Sequence, residues 1–185
     1  MSERTPESRL DQVERRLALL EAERAILARL YQYSYALDSG DKAKFMDCFT
    51  PDHVRWGGPG GRWTVGQNYR YEGLEAMEYY FDGHTHAPDL IHMHLLAEPL
   101  IRIDADRATS ESYLIRVDEN EDGPYVEAMA KYEDVLVRCD DGEWRIKERH
   151  VTVYGWLDRK SSAQALAEVR ARNVRKVPPG TTPAM

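Results

Sequence analysis

Cysteine is scarce in this 185-residue chain: Cys48 and Cys139 stand alone, without CxxC spacing. That argues against a disulfide framework, a thiolate zinc site or a redox pair, and points to a reduced, cytoplasmic setting. Long apolar runs are missing as well. No stretch approaches the ~18 residues that a membrane span takes, and the N-terminal MSERTPESRLDQVERR has no apolar signal region. Positive charge is outweighed, leaving a formal net charge of -7. A surface of that sign is unsuited to neutralising phosphates, so nucleic acid is not an expected partner, as the missing apolar runs argue against a membrane. The most basic stretch, Arg170, Arg172, Arg175 and Lys176, lacks interleaved aromatics and reads as a solvated tail or a subunit contact. There is no GxSxG, no glycine-rich phosphate loop with its Lys, and no GxGxxG after a strand. Bound nucleotide or flavin is therefore not implied.

Phenylalanine is rare too, with three Phe against eleven Tyr and four Trp. A tyrosine excess fits a partly polar cavity, an interface or half-buried sheet positions. The 42% hydrophobic content suffices for one core, and the length fits a single domain over 1–185.

The order of elements is helices first, then strands. Thr5 can cap a helix with Pro6 in its first turn. Leu10, Val13, Leu17, Leu20, Leu27, Leu30 and Tyr31 then mark an apolar stripe to about Leu37, with the Arg24 stem along it. At nearly 30 residues this helix is long, and its first two turns are expected to project or to pack on another subunit. Ser39-Gly40-Asp41 separates it from a short helix over 42–48. GGPGG at 57–61 is expected to be a loop, and a helix follows over 74–81. Segments 91–103, 108–118, 125–139 and 143–156 are rich in β-formers and separated by turn residues, which predicts a four-stranded antiparallel meander. A final helix is expected over 161–173, with a flexible tail from about 174. The class is α+β: a curved antiparallel sheet covered by N-terminal helices, with a pocket between them.

His92 and His94 lie two apart on a predicted strand and so share a face, a row continued by Leu96 and Glu98. Imidazole titrates near neutrality, which makes it the best general acid or base available there; the alternative is a solvated face. The HxH pair also suggests a metal site, with Glu98, Asp38 or His150 as further ligands, but no recognised ligand spacing completes it. Asp38 ends the first helix and could orient an imidazole; it could equally be an ordinary loop carboxylate. Tyr33 precedes it by five residues and offers a hydroxyl donor. Arg149 could anchor an anionic group or pair with surface carboxylates. Trp56, Tyr113, Tyr132 and Tyr154 are candidate pocket walls, and equally candidate core residues.

Three segments then carry a resemblance: YQYSYALDSGDKAKFMDCFTPDHV, HMHLLAEPLIRIDADRATSESYLI and KYEDVLVRCDDGEWRIKERHV. In order and spacing, over about 20–157, they resemble the SnoaL-like family of the NTF2-like superfamily. Its members include scytalone dehydratase, bile-acid 7α-dehydratase, hexachlorocyclohexane dehydrochlorinase and polyketide cyclases. The resemblance implies a cone-shaped, NTF2-like α+β barrel, a homotrimer, and no metal or organic cofactor. It implies a catalytic set in which Asp38 pairs with His94 and Tyr33 assists, with Arg149, near the last strand, assisting Tyr33. Many members carry Asn where this chain has Glu98; His92 and Glu98 are then expected to contact substrate. The implied activity is a cofactor-independent lyase of the dehydratase kind, acting on a hydroxylated aromatic or polycyclic small molecule. Isomerisation, polyketide cyclisation or formaldehyde-releasing retro-aldol cleavage could use the same residues. The non-enzymatic alternative is the small subunit of an aromatic-ring dioxygenase.

Overall fold

A computed structural model of the chain describes residues 8–58 and 70–156. The expected helix over 161–173, the tail and the Thr5 cap lie outside the described residues. Helix α1 (Arg9–Ser39) opens with Ser8 as its cap: the Ser8 hydroxyl accepts from the Asp11 N–H, and the Asp11 carboxylate accepts from the Ser8 N–H. Only its second half is packed. Ile26, Leu30, Tyr33 and Leu37 are fully buried at helical spacing, whereas Leu10, Val13, Leu17 and Leu20 are more than half exposed. The projecting part therefore runs to about Glu21, further than two turns, and the core face is rotated off the expected stripe, so that Tyr31 points outward. Arg29 ties the packed half down: its guanidinium donates to the carbonyl oxygens of Trp144 (2.8 Å) and Asp47 (3.0 Å) and to the Asp47 carboxylate (2.6 Å).

Helix α2 (Lys42–Asp47) follows, then strands β1 (Arg55–Gly57) and β2 (Arg70–Glu72), helix α3 (Leu74–Gly83), and the long strands β3 (His92–Asp104), β4 (Arg107–Asn120), β5 (Gly123–Arg138) and β6 (Trp144–Trp156). The sheet order is β2-β1-β6-β5-β4-β3. The meander is as expected, but β1 joins β6 in parallel, which makes a six-stranded mixed sheet rather than an antiparallel one. The glycine run is correspondingly not all loop: Gly57 pairs with His150 at the end of β1. Gly58 has to be glycine, because a Cβ there would overlap the Val151 carbonyl oxygen.

Curvature comes from ladder irregularities. The register slips between β3 and β4 at Ala97/Leu100, between β4 and β5 at Arg116/Val117, and between β5 and β6 at Met129/Ala130 and Val135/Leu136. Each slip places an extra residue on one strand and bends it. The inner face takes Leu114, Ala130, Tyr132, Leu136 and Ile146, closed by α1, α2 and α3 through Leu30, Phe45, Met77 and Phe81. Tyr33, Phe45 and Phe49 meet edge-on or tilted at 5.0–6.0 Å between ring centroids, a packing that suits aromatic quadrupoles.

Candidate active site

The end of α1 delivers Asp38 to the first residues of β3. Gly40 closes the helix in the left-handed region (φ 73°), and the ring of His86 lies 2.7 Å from where its Cβ would stand, so the turn is made by glycine. The Asp38 carbonyl accepts from the Ala87 N–H at 3.1 Å, which fixes the following loop against the helix end. Asp38 then grips His94 twice. Its Oδ2 accepts from the His94 backbone N–H (2.9 Å), and its Oδ1 meets His94 Nδ1 at 2.6 Å. An ionised carboxylate can only accept, so Nδ1 carries the proton and Nε2 keeps the lone pair. These bonds also answer the unfavourable position of a carboxylate at a helix C-terminus.

His92 lies on the same face, its side chain fully buried, with Nε2 3.3 Å from Asp38 Oδ1. That contact is not aligned as a hydrogen bond, and neither ring nitrogen of His92 has a hydrogen-bond partner among the described residues. A third imidazole, His84, stands with its ring centroid 5.1 Å from His92 and 5.5 Å from His94. Its Nδ1 bonds the Thr85 carbonyl at 2.6 Å. Burial lowers the pKa of all three rings. It holds His84 well below the usual imidazole value and His92 at about 3, with the Arg116 charge adding to the effect. For His94 burial also dominates, and the Asp38 hydrogen bond opposes it. All three are therefore neutral near pH 7.

Opposite the imidazoles on β4 sit Arg116, in register with His94, and Asp118, in register with His92. They form a buried bidentate pair (2.7 and 2.8 Å). Beside it on β5, Glu127 is buried at the ladder slip; burial, then the Asp118 charge, raise its pKa. Sequence reasoning missed His84, Arg116, Asp118 and Glu127. The signal for Arg116 and Asp118 was available, since Leu114, Arg116 and Asp118 share one strand face as His92 and His94 do.

A second group forms deeper in the core. Arg149 is fully buried and bidentate to Asp134 (2.7 and 2.8 Å), with its guanidinium carbon 4.1 Å from the ring centroid of Tyr33 and 4.2 Å from that of Tyr132. The Tyr33 hydroxyl accepts from Trp56 Nε1 at 3.2 Å. Burial raises the pKa of Tyr33, and the Arg149 charge opposes this. Burial holds the Tyr132 pKa well above its ordinary value.

Three expected contacts are corrected by position. Tyr113 and Tyr154 alternate with the inward residues of their strands, so they face outward, 62% and 59% exposed, and touch each other (6.5 Å between centroids). Glu98 does not continue the row of His92 and His94. It falls at the β3 slip with φ 45° and turns out of that row, and beyond it the inner positions pass to Ile101 and Ile103. As metal ligands, Glu98 and His150 are equally misplaced, since His150 faces outward beside Glu133. Asp38, His92 and His94 each offer a donor atom within 4.8 Å of the others.

The comparisons with known proteins agree with this architecture. A protein of unknown function from Mycobacterium tuberculosis superposes with a TM-score of 0.66 at 21% identity, over 90% of this chain and 95% of its own. An NTF2-like protein with a cystatin-like fold from Novosphingobium aromaticivorans gives 0.67 at 21% identity, over 88% and 98%. A protein from the same organism, described as a candidate scytalone dehydratase, gives 0.61 at 20% identity, over 76% and 89%. At such identities the likeness establishes the NTF2-like fold alone. No curated protein matches the sequence. The SnoaL-like domain profile matches residues 18–150, and the chain belongs to the SnoaL-like family.

Proposed function

We propose that the protein is a lyase of the dehydratase kind, in which His94 takes a proton and Asp38 orients and stabilises it. The observation that carries this reading is the double grip of Asp38 on His94, which presents an unprotonated Nε2 from a buried, neutral ring. In the reaction, Nε2 removes a proton from a carbon next to an activating group. The C–H electron pair forms the double bond, the C–O bond breaks, and the departing hydroxyl takes a proton from Tyr33 to leave as water; the proton gained by His94 then returns to Tyr33 through solvent, which restores both groups. Burial makes the Tyr33 hydroxyl a weaker acid, and Arg149, stacked on its ring, partly restores that acidity. His92, whose nitrogens have no hydrogen-bond partner among the described residues, contacts polar groups of the substrate, and Trp56 and Tyr132 flank a hydroxylated aromatic or polycyclic body. Support also comes from the family and from the structural neighbour described as a candidate scytalone dehydratase.

The test is a screen of hydroxylated aromatic, steroid-like and polyketide compounds for release of water or new conjugated absorbance, repeated with His94→Ala. Turnover should fall by roughly 10²–10⁴-fold in a variant that stays folded. Near-normal turnover would remove His94 from the mechanism. Self-association as a trimer belongs to the same proposal. It is supported by an exposed apolar band of Leu95, Ile115 and Met129, adjacent in register on the sheet face opposite the imidazoles.

A further inference from the structure

We propose that Asp38, His92 and His94 also form a Zn²⁺ site whose occupation switches off proton abstraction by His94. The three donor atoms lie within 4.8 Å of one another. A tetrahedral Zn²⁺ with bonds of about 2.0–2.1 Å sets neighbouring ligand atoms roughly 3.3 Å apart. His92 Nε2 and Asp38 Oδ1 are already 3.3 Å apart. His94 Nδ1, at 2.6 Å from the same oxygen, has to move out by about 0.7 Å to reach that separation. His92 supplies the second observation. Its side chain is fully buried, its nitrogens have no hydrogen-bond partner among the described residues, and its Nε2 lies against the carboxylate. Buried imidazole nitrogens ordinarily find a partner, and a soft divalent ion is one. Two imidazoles and one carboxylate suit Zn²⁺ and its neighbours rather than Mg²⁺ or Ca²⁺. The nearby cation Arg116 is paired with Asp118, which offsets its charge.

The consequence for His94 follows from its two nitrogens. Zn²⁺ takes the lone pair of Nδ1, so the proton now shared with Asp38 passes through solvent to Nε2 and the ring stays neutral. Nε2 then has no lone pair for substrate. This inhibitory half rests on the proposed function; the binding half does not.

The test strips the full-length protein with a chelator, titrates it with ZnCl2 in a calorimeter, and repeats the titration with Co²⁺ followed through its visible bands. One equivalent per chain is expected, weakened at least ~100-fold by His92→Phe and by Asp38→Asn, and unchanged by His150→Gln. Long-range ¹H–¹⁵N imidazole spectra should show His94 changing from the Nδ1–H to the Nε2–H tautomer as Zn²⁺ is added, a readout independent of any substrate. Absence of binding overturns the proposal. So does binding that survives in folded Asp38→Asn, or that disappears with His150→Gln and thus belongs to the exterior pair with Glu133. Should His92→Phe fail to fold, Asp38→Asn and the tautomer spectrum decide.

Discussion

Asp38 and His94, 56 residues apart in the chain, share two bonds, one to the ring and one to the backbone of the same histidine. The ring bond sets the tautomer and the backbone bond sets the strand position, so the carboxylate serves at once as orienting group and as a fastener between α1 and β3. Loss of accepting power at Oδ1 disturbs the first task and at Oδ2 the second.

Asp38→Asn tests this. An amide can replace one acceptor but not both, and it cannot balance the imidazolium that forms. Turnover should drop by about 10²–10⁴-fold. Because Asp38 raises the pKa of His94 against the burial that lowers it, the acid limb of the pH–rate profile should move to lower pH in the variant. A limb that stays in place would separate Asp38 from His94 in the titration.

Stability should depend on pH through the buried rings. In the folded state His92 binds its proton only at about 3, whereas the unfolded ring does so near the ordinary 6.5. Between those values the unfolded chain holds more protons, so this contribution is complete above about 6.5 and is lost as pH falls toward 3. The slope is at most about 1.4 kcal/mol per pH unit for one ring. His84 acts in the same direction. Urea midpoints at pH 7.5 and 5.0 measure the effect, and His92→Phe should reduce the difference between them.

Arg149→Met removes one half of a fully buried ion pair and leaves the Asp134 charge without its partner. The expected loss is about 3–5 kcal/mol in denaturant unfolding. Adding Asp134→Leu should recover most of it; no recovery would mean that the stacking on Tyr33 and Tyr132 dominates.

The exterior band predicts an assembly. Ile115→Lys places a charge between Leu95 and Met129 on the outer face. Light scattering should then give the mass of one chain where the parent protein gives that of three, while monomeric parent protein would end the trimer proposal.

Much of the fold was legible because period-2 segments and turn residues announce a meander and the long apolar helix announces its cover. The dyad was legible through resemblance and through the shared face of His92 and His94. What escaped detection depended on local counting and distant closure. Three-residue strands such as β1 carry too little pattern to announce themselves. Glu98 was assigned inward by alternation that a ladder slip cancels. The role of His84 arises only when α3 brings its loop over β3, a contact with no trace in spacing.

The slip on β3 carries one more implication. Ala97 faces Tyr113 and Leu100 faces Glu111, so three steps along one strand match two along the other. Excising the surplus residue would restore one-to-one pairing with every later side chain still on its present side, and the strand would straighten. The concavity that shelters the imidazoles is thus written partly as unequal strand lengths, a kind of information that point substitutions leave intact and single-codon deletions erase.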